Sequence, residues 1–214
     1  MGGHHGVDNP PRIVSATRAT VVPTVVYVAT AMPEPGVVKH FGRGDLVIGP
    51  LNAADAANAA LQARLQAVVQ LFGSAGVPVK VSADVMVELW SKLMVNCAYN
   101  AISGLAQLPY GRMAALPEVR EVMRATVHEV VAVAQAEGVK LPLQASLDAM
   151  DKIAAAMPAQ LSSTAQDMAR GKPSEIDHLN GYVARRGAEL GIATPVNQTL
   201  HALVKLVESA KAAP

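Results

Sequence analysis

The spacing of apolar residues along this chain changes character near residue 82. Ahead of that point, residues 19–30 are dense in Val and Thr, and Pro33-Glu34-Pro35-Gly36 follows them. Next come a short apolar run over 37–41, the turn-like Gly42-Arg43-Gly44-Asp45, and a further run over 46–49. β-Branched runs bounded by Gly and Pro predict three short strands, two of them paired as a hairpin. Residues 55–72 place Leu61, Leu65, Val68, Val69 and Phe72 at helical spacing and are closed by Gly73 and Gly76. That pattern predicts an amphipathic helix. Residues 77–81 read as one more strand, so this part looks like the last third of an α/β domain.

After Ser82 the period is helical throughout. Ser82-Ala83-Asp84 offers caps for a long helix to about Leu108, where Pro109 and Gly111 interrupt it. Pro117 suits the first turn of a helix that runs to Glu137 and stops at Gly138. Further helices are expected over 143–157, 163–169, 174–190 and 197–210. The fold class is therefore mixed: an α/β remnant over residues 1–81, then an all-α domain over residues 82–214. Ala and Gly at its packing positions allow helices to approach closely.

Composition narrows the function classes. A chain of 214 residues with 51% hydrophobic and 16% charged residues buries one full core or two small ones. A net charge of +1 and 3% aromatic residues supply neither a basic field nor stacking platforms, so nucleic acid is not an expected partner. The single cysteine, Cys97, excludes an internal disulfide framework and fits a reducing compartment. No run reaches the roughly 18 apolar residues of a membrane span; the richest, 21–32, contains Pro23. The opening residues lack the apolar core of a secretory signal, and a cytoplasmic location is expected. His4 and His5 sit in a Gly-rich terminus that reads as a mobile tail rather than a metal site.

One helix carries the candidate chemistry. Lys92, Asn96 and Asn100 stand four residues apart among Leu89, Trp90, Leu93, Met94, Val95 and Cys97. A step of four drifts about 40° around a helix, which keeps the three in one column. A lysine in such company is costly to bury unless it is paired or used, although a snorkelling lysine at a core rim gives the same pattern. The second polar cluster is Ser162-Ser163-Thr164-Ala165-Gln166-Asp167 with Ser174-Glu175-Ile176-Asp177-His178-Leu179-Asn180-Gly181. Read without context, Ser163 is a helix N-cap and Glu175 a carboxylate favoured in a first helical turn.

Taken in order, these segments resemble the ketopantoate reductase family over nearly the whole chain. The most specific pieces are Trp90 to Asn100 in the pattern W-x-K-L-x-V-N-C-x-x-N, Ser162-Ser163 with Gln166-Asp167, Glu175-Ile176-Asp177 with Asn180-Gly181, and Gly191-Ile192-Ala193-Thr194-Pro195. The resemblance implies NADPH-dependent reduction of 2-dehydropantoate to pantoate. It implies a Rossmann-type domain, here incomplete, followed by a helical domain of the 6-phosphogluconate dehydrogenase C-terminal-like type. Lys92 then matches the general acid, and Asn96, Asn100, Ser163 and Glu175 match residues that bind substrate. Hydride arriving at a ketone carbon leaves an alkoxide, which an ammonium stabilises and then protonates. Homodimerisation is a further expectation.

One departure divides this reading. The family's strand, Gly-rich turn and helix, which hold the dinucleotide pyrophosphate, have no counterpart here: Gly2-Gly3-His4-His5-Gly6 precedes no predicted helix, and Gly42-Arg43-Gly44 lies between strands. His5 and Gly6 fall where the family carries a Gln-Asn-Gly turn near cofactor and substrate. The chain alone is thus expected to show little or no reductase activity. Two other readings stand beside it, a non-catalytic helical dimerisation module and a reductase of another 2-oxo acid.

Overall fold

The computed structural model describes residues 7–211, which divide into two compact units, Val7–Leu89 and the chain from Trp90 onward. The first unit opens with helix α1 (Asn9–Ala16), an element the apolar pattern did not predict. Strands β1 (Thr24–Glu34), β2 (Val37–Ile48) and β3 (Val79–Val81) form one sheet in the order β1-β2-β3. β1 and β2 are antiparallel and β2 and β3 parallel.

The hairpin is longer than its sequence suggests. Residues 37–41 and 46–49, expected as separate strands, are one strand, because Gly42-Arg43-Gly44 makes a bulge rather than a turn. The register shifts between Tyr27 and Val28 as Gly42, Arg43 and Gly44 take φ of 124°, 58° and 140°. Glycine supplies these angles without strain, while Arg43 tolerates its own by holding Asp45 through two hydrogen bonds and stacking 3.8 Å over the Tyr27 ring.

Alternation along β2 sends neighbouring side chains to opposite faces. Ile48 packs with Leu61 and Leu65 of helix α3 (Ala59–Ser74), while Val47 joins Val25 and Val85. Asn58 caps α3 by accepting from the Leu61 N–H at 3.1 Å, so the helix starts four residues later than expected, after the single turn α2 (Ala53–Ala56).

The second unit is helical, as expected. Helix α4 (Val85–Ala106) leads into it, followed by α5 (Tyr110–Ala114), α6 (Pro117–Ala136), α7 (Leu143–Ala156) and α8 (Ser163–Ala169). A 3-10 turn (Ile176–His178), α9 (Asn180–Leu190) and α10 (Pro195–Lys211) complete it. Leu93, Met94, Cys97, Ala98, Tyr99 and Ala101 of α4 are all buried, the mark of a helix covered on most of its circumference. The helix expected over 174–190 is interrupted at Leu179, which separates the 3-10 turn from α9. Among the described residues no helix is long and apolar enough to cross a membrane.

Candidate active site

The site is built on α4. Asp84 accepts from the Val87 N–H at 3.3 Å and starts the helix, which then carries the polar column into the second unit. Lys92 and Asn96 are half-buried, and Asn100 is 3% exposed. An amide at that depth needs partners. Its Nδ2 donates to Ser163 Oγ at 3.4 Å, a long bond that nonetheless joins two predicted site residues 63 positions apart. Ser163 itself is exposed at the first position of α8.

The cap of α8 is Ser162 rather than Ser163. Ser162 Oγ accepts from the Ala165 N–H at 2.9 Å and donates to the Asn100 carbonyl at 3.3 Å, while its own N–H donates to Ser103 Oγ at 3.3 Å. Two adjacent serines look alike as caps, and only the fold selects the one that faces α4. Ser163 is thereby left turned outward beside Asn100. Close approach of α8 depends on Gly104, where an added Cβ would lie 2.7 Å from Thr164 Cγ2 and 2.9 Å from Met168 Sδ.

Glu175 is half-buried and precedes the 3-10 turn, so it is not in the first turn of a long helix. Its neighbour Ile176 is fully buried with Ala101, Met168, Leu200 and Val204. The same stretch is tied to α4 four residues on, where Asn180 Nδ2 donates to the Cys97 carbonyl at 3.1 Å and to Asn197 Oδ1 at 3.0 Å. Asn197 Nδ2 in turn donates to Glu129 at 2.7 Å, and the Glu129 carboxylate accepts from the Val196 and Asn197 N–H groups, each at 2.8 Å. A carboxylate at the start of α10 is held by charge-assisted bonds and by the helix dipole. Asn180 Oδ1 is buried with no hydrogen-bond partner among the described residues.

Asn180, Asn197, Glu129 and Ser162 were not assigned a role from sequence. Asn180 stands in the Glu175 to Gly181 motif, but nothing in the local pattern marks it as buried, since the need for its amide arises from a carbonyl 83 residues away. Cys97 is fully buried, and that burial raises its thiol pKa, in keeping with a packing role. Burial also lifts the Asp167 carboxyl above its ordinary range, against the pull of Lys172 and Arg170. His5 and Gly6 lie outside the described residues. Chemically, one ammonium, two amides, a hydroxyl and a carboxylate on α4 and the segments tied to it suit a small, polar, anionic substrate.

This fold defines a class: a small Rossmann-like sheet followed along the chain by an all-α domain. A profile described as "Ketopantoate reductase PanE/ApbA C terminal" matches residues 84–208, and the chain belongs to that family. It is 38% identical over 171 residues to the 2-dehydropantoate 2-reductase of Vibrio cholerae, covering 80% of this chain and 55% of that protein. The Caulobacter vibrioides enzyme of the same name is 33% identical over 203 residues, covering 94% and 65%. A PanE/ApbA family ketopantoate reductase from Ralstonia eutropha JMP134 superposes with a TM-score of 0.86 at 49% identity, covering 97% of this chain and 66% of that one. D-mandelate dehydrogenase shares the fold at 20% identity and a TM-score of 0.86. The chain thus spans about half to two thirds of the length of these relatives.

Proposed function

We propose that this chain binds a small 2-oxo acid, ketopantoate first among them, and supplies the proton in its reduction, as part of an NADPH-dependent 2-dehydropantoate 2-reductase. The reading draws on family membership and on one geometric observation, the contact of Asn100 Nδ2 with Ser163 Oγ at 3.4 Å. In it Lys92 holds a proton toward the ketone oxygen, Asn96, Asn100 and Ser163 orient the polar ends of the acid, and Glu175 engages its hydroxyl. Amides and a hydroxyl orient an anion without neutralising the lysine.

The described residues do not fit a dinucleotide. Among them no strand runs through a Gly-rich turn into a helix, and Gly42 and Gly44 bulge within β2, so no set of backbone N–H groups is offered to a pyrophosphate. The chain alone is therefore expected to take NADPH weakly or not at all. Self-association into a dimer belongs to the same proposal.

Titration with ketopantoate, followed by amide chemical shifts, tests the reading. Saturable shifts at residues of α4 and α8 are expected, weakened about tenfold in Asn100→Ala, since an amide made for a substrate group leaves that group unpaired when removed. Lys92→Met should retain much of the binding. Shifts that are absent, or unaltered by Asn100→Ala, would refute the assignment. Pyruvate and 2-oxobutyrate in parallel show whether ketopantoate is preferred.

A further inference from the structure

The segment that carries Glu175 lies between α8 and α9 and is held largely by side chains of α10. Ser174 N–H donates to Glu208 Oε1 at 2.7 Å. Three residues later the Asp177 carboxylate takes both His201 Nε2, at 2.6 Å, and Lys205 Nζ, at 2.9 Å. The Asp177 carbonyl also accepts from Arg185 of α9 at 3.0 Å. His201, Lys205 and Glu208 are spaced by four and three residues, so they share one face of α10. Lys205 further approaches Glu208 at 3.6 Å, joining the two anchors.

Glu175 stands between these anchors with Ile176 buried beside it. Its backbone is fixed from both sides. The His201 ring has a defined seat as well, because Gly181 leaves room for it; an added Cβ there would lie 2.8 Å from the ring. Half-exposed ion pairs of this kind contribute little to global stability, so their number on one short segment is better explained by what that segment must present. A substrate carboxylate-binding or hydroxyl-binding group displaced by 1 Å loses much of its effect.

We propose that Asp177 and Glu208 are positioning residues, which clamp the Glu175 segment to α10 so that Glu175 meets the 2-oxo acid in a fixed place. The clamp rests on the ketopantoate reading for its substrate, but not for its mechanics. Asp177→Asn and Glu208→Gln keep shape and remove charge, and three readouts separate position from stability. Amide hydrogen exchange over 174–179 should accelerate in both variants, the ketopantoate dissociation constant should rise about tenfold, and the thermal midpoint should shift by no more than about 4 °C. Normal exchange over 174–179 in both variants would overturn the clamp. Faster exchange with unchanged ketopantoate affinity would overturn its positioning role. Should the unmodified chain take no ketopantoate while Asp177→Asn still loosens 174–179, the mechanical clamp is supported and the substrate reading is what fails. If one variant does not fold, the other, anchored at the opposite flank of Glu175, decides the matter.

Discussion

Tyr99 and Tyr110 anchor α4 through a contact that titration can reveal. Their ring centroids are 4.5 Å apart, and the Tyr99 hydroxyl donates to the Met150 carbonyl at 2.6 Å, fastening α4 to α7. Burial pushes both phenols up to about 12, since a phenolate inside the domain would lose its hydration. A folded-state pKa above the unfolded value of about 10 gives a definite sign. Below that value both states hold the proton and the contribution is complete. As pH rises past it the unfolded chain releases protons first, and stability falls by about 1.4 kcal/mol per pH unit for each tyrosine until the folded groups titrate. Urea midpoints at pH 9 and pH 11 should therefore differ clearly, and Tyr110→Phe should reduce the difference. Equal midpoints would mean that the phenols are hydrated in the folded protein. The alkaline loss would act on the element that carries Lys92, Asn96 and Asn100, so substrate affinity should decline with it.

Between elements, the approach of α8 to α4 decides where Ser163 stands. Gly104 is the point of contact, and a methyl there meets the stiff β-branched Thr164 as well as Met168. Helix propensity favours Gly104→Ala by about 1 kcal/mol, whereas overpacking costs about 1–3 kcal/mol. The clash is expected to win, lowering the thermal midpoint by a few degrees and weakening ketopantoate more than a change in stability alone would. A raised midpoint with unchanged affinity would show that α8 yields freely. Elements of this kind were legible where the information is local: α6 begins at Pro117 and ends before Gly138, and α8 runs from Ser163 to Ala169 as expected. The pattern misled where a distant partner decides. Two glycines around Arg43 read as a turn, yet pairing with β1 carries the strand through them as a bulge. The break at Leu179 was hidden for the same reason, because backbone and side-chain groups of residues 174–177 are met by Glu208, His201 and Lys205 of α10, which no local window contains. Within the site, the column on α4 follows from spacing alone, while Asn180, Asn197 and Glu129 become visible only once four helices converge.

At the scale of the whole molecule, the apolar surface of the first unit sets its behaviour in solution. Val26, Val28, Met32, Val37 and Val38 of the β1–β2 hairpin are between 44% and 64% exposed. Scattered apolar residues need no explanation, but five exposed on one two-stranded ribbon favour association. Removing such side chains from water contributes about 25 cal/mol per Å², so a shared face of a few hundred Å² from each copy competes with the cost of ordering two molecules. Multi-angle light scattering over a hundredfold dilution should accordingly show a monomer–dimer equilibrium rather than a fixed mass. Val28→Lys with Val38→Lys places charge on the exposed ribbon without touching the Ile48, Leu61 and Leu65 core, so the folded monomer should persist while the dimer is lost. A dimer that survives both substitutions would move the interface off the hairpin, and the exposed leucines of α10, Leu203 and Leu206, would then be the residues to charge. Because His201 and Lys205 lie on that same helix, an interface there would couple assembly to the clamp on Glu175, and ketopantoate affinity would then depend on protein concentration.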